Sequence, residues 1–518
     1  MIEGSGDPLL CDAARVNVGA WLAHHAAQRA DAIAVIDEET GARLSYGTLG
    51  DRAIRIAASL HRLGVRAGER VAIAQPSTPD YLAVYFAAAR IGAILVPLNV
   101  RLAPSELAHQ LADSRPRVVL CESGFPLPPD AKVRRVSAEE LLADLPTRVE
   151  APALVEGGER PQVIMYTSGT TGHPKGAVLP HRKTLYNTLN ARIYLELTSA
   201  DVVVVPLPLF HSFGLKILCV PTLFAGATVV LVGRFDPAGL QETVARHRAS
   251  LLGAVPVMYR RMWEHGLRPE ALRSLRFAVS AGAPVEPELI RRYAAAGVIV
   301  KQAYGQTETS IICCLETSDA VRKAGSVGTP VRHAEVRIAN QGGEALPAGT
   351  PGEVQVRGPI VGLGYWGRPE DTARSRTGGW HRTGDLGVAD EEGCITLVGR
   401  LRELYISGGE NVYPAEVERV LAAHPDVREC AVVGVPDPTW GEVGRAFVVP
   451  ARTPFDADVL LAWARERLAR FKVPRDVVAV SELPRTASGK VQKHLLGAAP
   501  DASTLEPARA GTSPCRAR

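Results

Sequence analysis

Helical and strand-like periodicities alternate along this chain, and that alternation limits its architecture more than any other feature. Residues 49–63 carry apolar side chains at helical spacing, and 70–74 (RVAIA) reads as a short buried strand. Residues 81–91 are again helical and 93–97 a strand; the pattern resumes after Gln162, with strands expected at 202–206, 227–232 and 277–280. Such βαβα alternation predicts an α/β fold, parallel-type sheets flanked by helices.

Between Gly325 and Leu397 the texture changes. Glycine and proline become dense, and short β-like runs appear (EVRIA, GEVQVRG, CITLVG), which predicts a small antiparallel sheet or β-barrel. After Gly399-Arg400 about a hundred residues remain in a compact α+β pattern: helix 414–423, strand 429–435, helix 457–469. With 518 residues the chain exceeds one ordinary domain. The expected division is a large N-terminal domain over 1–400, a small α+β domain over 401–497, and a disordered Ala/Pro/Ser/Thr-rich tail over 498–518.

Net charge is only +4, so nothing global points to nucleic acid. Eight scattered cysteines lack metal-ligand spacing and read as small buried thiols in a reducing compartment. The first residues show neither a basic nor an apolar leader segment, and no apolar run is long enough for a membrane span. A cytoplasmic enzyme, monomeric or homodimeric, is expected.

The chemistry begins at residues 166–176, YTSGTTGHPKG, directly after the apolar run Val163-Ile164-Met165. Glycines allow a backbone to approach a ligand closely and turn its N–H groups inward. Thr167, Ser168, Thr170 and Thr171 add neutral donors around Gly169 and Gly172, and Lys175 adds a cation. Together they suit a polyphosphate, although the spacing is not that of a Walker loop.

This segment resembles the phosphate loop of the adenylate-forming superfamily of acyl- and aryl-CoA synthetases, peptide-synthetase adenylation domains and luciferases. Further matching motifs follow in the family's order: PLFH at 208–211, SAGAP at 280–284, YGQTE at 304–308, RTGD at 382–385, GR at 399–400, SGGENVYP at 407–414 and PRTASGK at 484–490. The resemblance covers roughly residues 18–496.

Physical readings stand beside the resemblance. Tyr304, before Gly305, offers a flat face for adenine. Glu308 follows Thr307, and a hard carboxylate suits Mg²⁺, which binds through one or two carboxylates plus substrate phosphates. The resemblance implies that Thr307 contacts the α-phosphate, that Glu308 holds the metal, that Asp385 binds the ribose hydroxyls with help from Arg400, and that Gly282-Ala283-Pro284 and Gln302-Ala303 border the adenine. It places the catalytic lysine at Lys490, where one cation can bridge two anions that must meet. It makes His211 an aromatic gate beside the acyl carboxylate, not a base.

The implied reaction has two steps: acid and ATP give acyl-AMP and pyrophosphate, then a thiol takes the acyl group. Rotation of the C-terminal domain would exchange Lys490 for residues 407–410, where Gly408 and Gly409 leave room for a pantetheine arm. The hinge position, two residues past Arg400, is Arg402, whereas the family usually has Asp or Lys there. Coenzyme A is the expected thiol; a carrier-protein phosphopantetheine or an amine acceptor is the alternative. Phe471 among Arg470, Lys472 and Arg475 fits an adenine with phosphates, and a helix end with a core aromatic fits these residues equally; Trp440 is a candidate border of the thiol channel. The acid is a small-molecule carboxylate. Ala303 stands where long-chain relatives often have glycine, which argues against a very deep tunnel. Lys216, a charge within the apolar run FGLKILCV, is expected to reach water, or else to anchor a distal carboxylate or phenolate of the substrate.

Overall fold

The computed structural model describes residues 13–128, 131–143, 149–167, 174–407, 410–486 and 490–496. The tail over 498–518 lies outside them. Compact packing divides the chain into two units, Met1–Thr383 with Ala389–Thr396, and Gly384–Val388 with Leu397–Arg518.

The first unit holds two large sheets. In the nine-stranded one, Val300–Gln306, Phe277–Ser280, Leu251–Ala254, Val202–Val205, Thr228–Leu231 and Ile33–Asp37 run parallel, with antiparallel strands at both edges. In the seven-stranded sheet Pro161–Thr167, Ile94–Pro97, Arg70–Ala74, Val118–Cys121 and Arg134–Val136 are parallel, and Lys175–Pro180 and Gly364–Tyr365 close one edge antiparallel.

One apolar core joins these sheets: Val71, Ile73 and Leu95 from one belong to the same cluster as Val203, Val229 and Leu251 from the other. Helix Pro79–Arg90 lies within it, and that placement explains its composition. Thr78 caps its first turn, Pro79 occupies a position where a missing N–H costs nothing, and ten of the eleven residues from Pro79 to Ala89, all but Asp80, are buried. Helix His181–Tyr194 is buried as well, but through polar residues, Lys183, Thr184, Asn187, Thr188 and Asn190 among them. A buried polar face must find partners, and those partners turn out to belong to the site.

A five-stranded sheet contains Glu335–Ala339, Gly352–Arg357 and Trp380–Ala389. In the second unit, the long antiparallel pair Val427–Asp437 and Gly441–Pro450 packs against helix Pro414–Ala422, with Asp476–Ala479 added parallel. No disulfide joins the described cysteines; five of the six are buried, and burial raises the Cys314 thiol to about 12.

Candidate active site

The phosphate-loop candidate is pinned at both ends. Strands Pro161–Thr167 and Lys175–Pro180 pair with Thr167 opposite Lys175, and Thr167 Oγ1 donates to the Lys175 carbonyl at 3.3 Å. Ser168, Gly169, Thr170, Thr171 and Gly172 fall outside the described residues. The Lys175 amine lies 2.8 Å from Asp371 Oδ1 and 5.7 Å from the centre of the Tyr365 ring. Arg374 and then Lys175 hold the Asp371 carboxyl down at about 2, so it is a carboxylate at any working pH.

The second wall is a hairpin. Val300–Gln306 pairs with Ser310–Cys314, and Thr307 and Glu308 sit in the turn between them. Gly305 is required here, because a Cβ at this position would lie 1.8 Å from the Ser310 carbonyl oxygen. Ser310 adopts a left-handed backbone, φ +62°, uncommon for a residue with a side chain. The buried Lys183 amine, from helix His181–Tyr194, donates to Ser310 Oγ and so braces that turn. Burial pushes Lys183 down to about 7 against the opposing pull of Glu308. Tyr365 donates its phenol to Glu308 Oε1 at 2.9 Å.

Among the described residues no three acids, histidines or cysteines cluster as a metal cage. One carboxylate at a turn is a donor set that fits Mg²⁺, since phosphates and water complete its shell.

The turn at 281–284 is fixed from below. Gly282 has φ +91°, and Gln302 spans the gap to the next strand by accepting from Val285 N at 3.0 Å and donating to the Ser326 carbonyl at 2.8 Å. Gln302 therefore braces the turn that carries Ala283 and Pro284. Ala303 and Tyr304 are both 7 % exposed. His211 packs against Phe210 with ring centres 4.6 Å apart and planes tilted by 55°, just ahead of a π-helix over Phe213–Cys219. Such helices open one carbonyl from the ladder, and Asn187 Nδ2 donates to the Lys216 carbonyl at 2.6 Å.

The expectation that Lys216 reaches water is overturned: it is fully buried. Its amine lies 2.9 Å from Tyr85 Oη and 3.0 Å from Gln162 Oε1, and also bonds Thr184 Oγ1. These partners come from two other helices and a strand. Burial first, then Lys183, depress its pKa well below the ordinary lysine range. Charged or neutral, the nitrogen has three hydrogen-bonding positions, which these three partners use. Nothing of it is left for a substrate carboxylate or phenolate, so the anchoring reading fails with the exposed one.

Lys216→Met tests the electrostatics. A lysine neutral when folded and protonated when unfolded takes up a proton on unfolding, so stability rises with pH toward the ordinary lysine range and falls as pH drops. At pH 7 that cost offsets the hydrogen bonds the amine makes. The methionine variant is expected to melt close to the unsubstituted chain at pH 7, and to fall below it at pH 10 by about 1–3 kcal/mol of orphaned polar groups. A deficit independent of pH, in paired thermal melts, refutes a neutral Lys216.

In the second unit Arg400 Nε donates to Asp385 Oδ1 at 3.0 Å, so two candidates expected to serve the ribose are in contact. Trp440 is 47 % exposed at the end of the long hairpin. Phe471 packs on the unit's core, and Lys472 is held by Glu416 at 2.8 Å, which favours the helix-end reading for this pair. Lys490 is exposed, its N–H donating to Thr486 Oγ1 at 3.1 Å. Gly408 and Gly409 lie outside the described residues. Sequence reasoning missed Lys183, Tyr365 and Asp371. Lys183 falls in a polar run that reads as a solvated helix, and the other two meet the loop and Glu308 only in space.

Residues 22–366 match the family model described as AMP-binding enzyme, and 416–490 that of the AMP-binding enzyme C-terminal domain. A feruloyl-CoA synthase of Amycolatopsis sp. is 43 % identical over 484 residues, 92 % of this chain and 97 % of that protein. An indoleacetate–CoA ligase of Aromatoleum aromaticum is 40 % identical over 493 residues, 91 % and 96 % of the two. The o-succinylbenzoate coenzyme A synthetase of Bacillus subtilis, solved with ATP and magnesium ion, superposes with a TM-score of 0.84 at 32 % identity, covering 92 % of this chain and 98 % of that one.

Proposed function

We propose, for a chain that belongs to the AMP-binding enzyme family of adenylate-forming acid–CoA ligases, that the acid it activates is an aryl acid with a short side chain, of the class that ferulate and indoleacetate represent. The reaction itself is the family's: ATP adenylates the carboxylate with loss of pyrophosphate, and coenzyme A takes the acyl group. The observation that carries the aryl assignment is 43 % identity to a feruloyl-CoA synthase across nearly its whole length. Phe210, Ala281, Ala303 and Ile311, which we assign to the acid site, are all buried and none is charged, which is consistent with a flat apolar ring.

In this reading Glu308 holds Mg²⁺, which neutralises phosphate charge when bound. Thr307 faces the α-phosphate, and the loop from Thr167 to Lys175 takes the departing phosphates. Asp385 with Arg400 binds the ribose, and Tyr304, Gly305 and the turn at 281–284 hold the base. His211 gates the acyl carboxylate. Lys490 enters for adenylation, and Gly408-Gly409 replaces it for thiol attack, with Trp440 beside the thiol channel. We place the enzyme in the cytoplasm; among the described residues no helix is long and apolar enough to cross a membrane.

The test is acid-dependent pyrophosphate release over hydroxycinnamic, arylacetic, dicarboxylic and C6–C12 fatty acids, with and without coenzyme A. Arylpropenoic or arylacetic acids should exceed fatty acids in kcat/KM at least ~10-fold, about what a shape-matched apolar pocket discriminates. A fatty or dicarboxylic acid as the best substrate rejects the aryl assignment.

A further inference from the structure

Asp371 is unusual in its company. It lies on the short helix Pro369–Arg374, its side chain only 13 % exposed. Its Oδ1 receives the Lys175 amine at 2.8 Å and Arg374 Nη2 at 2.8 Å, and Arg368 Nη1 stands 3.9 Å from Oδ2. Three cations around one anionic group is the arrangement that a phosphate recruits. One of the three closes the loop read above as the seat of the departing phosphates.

We propose that Asp371 is a positioning residue that competes with pyrophosphate for Lys175, holding the lysine when the phosphates are absent and reclaiming it as they leave. This rests on the reading of 166–176 as the phosphate loop. Tyr365 gives the exchange a fixed frame. Its ring carries Lys175 and its hydroxyl holds Glu308, so the lysine changes partners over the residue that orients the metal carboxylate. Like charge adds to the competition, because a carboxylate beside a bound polyphosphate repels it.

Magnesium pyrophosphate, titrated calorimetrically into the full chain, tests this. Asp371→Asn and Asp371→Ser should each bind it about 10-fold tighter, with product inhibition deepened in parallel, while Asp371→Glu stays within about twofold of the unsubstituted chain. Adding Lys175→Met to Asp371→Asn should erase the gain. A residue that merely supports the fold loses affinity when removed, so unchanged or weaker binding in both neutral variants overturns the proposal. The probe contains no acid, so a wrong aryl assignment leaves the result untouched. Absence of pyrophosphate binding by the unsubstituted chain would instead overturn the loop reading and this proposal with it.

Discussion

Lys490→Ala is expected to abolish acid-dependent pyrophosphate release while leaving thioester formation from supplied acyl-AMP and coenzyme A largely intact. Adenylation brings a carboxylate onto an α-phosphate, and both are anions. A lysine bridging the two stabilises charge that develops only as the bond forms, so its removal acts on kcat. Loss of one such preorganised group costs about 10²–10³ in rate, and here the lost group is a full cation. The thiol step proceeds from an anhydride already made and, in the rotating-domain account, with Lys490 withdrawn. Both half-reactions can be measured on one preparation. A fall of similar size in both contradicts the separation of roles. Arg402 bears on the same experiment: in the rotating-domain account it stands at the hinge, where slow exchange between states would appear as a lowered overall rate with each half-reaction preserved.

The sequence shows some of this plainly and hides the rest for physical reasons. Strands such as Val202–Val205 and Phe277–Ser280 are legible because a strand buried on both faces is a continuous apolar run. The candidate ligand-binding motifs are legible because loops that approach phosphates need glycine and hydroxyls in a fixed local order. The burial of Lys216 is not legible because periodicity reports which face of a helix is apolar, not what waits opposite a polar residue. Its partners Tyr85, Gln162 and Thr184 come from three other elements. The π-helix that carries it leaves no mark on the apolar pattern. Lys175 was expected to face a polyphosphate, and its ion pair with Asp371 depends on an edge strand, Gly364–Tyr365, that is two residues long. Gln302, expected to border the adenine, also braces the turn at 281–284, a role that no motif marks, because its amide reaches Val285 and Ser326.

The hairpin around Thr307 and Glu308 leads to the second large effect, that of Gly305→Ala. An alanine Cβ would fall 1.8 Å from the Ser310 carbonyl oxygen, 2.7 Å from its carbon and 3.1 Å from Ile311 Cα. All three are backbone atoms, so no side chain can rotate away. The register that sets Gly305 opposite Ile311 and Gln306 opposite Ser310 must open. Ser310 is already at φ +62° and tied to the buried Lys183, so little of the strain can be absorbed there. The residue that moves is then Glu308, and with it the Tyr365 contact. Misplacement by about 1 Å costs on the order of 10²-fold in a reaction that depends on alignment. We therefore expect adenylation to fall at least ~100-fold, together with a loss of about 1–3 kcal/mol in stability from overpacking. Gly349→Ala is the matched control. Its φ is positive, +80°, unlike that of Gly305, but nothing lies within 4 Å of the added methyl, so it should cost about 1 kcal/mol and leave kcat unchanged. Activity in Gly305→Ala within threefold of the unsubstituted chain would mean that the hairpin is not the frame that holds the metal carboxylate.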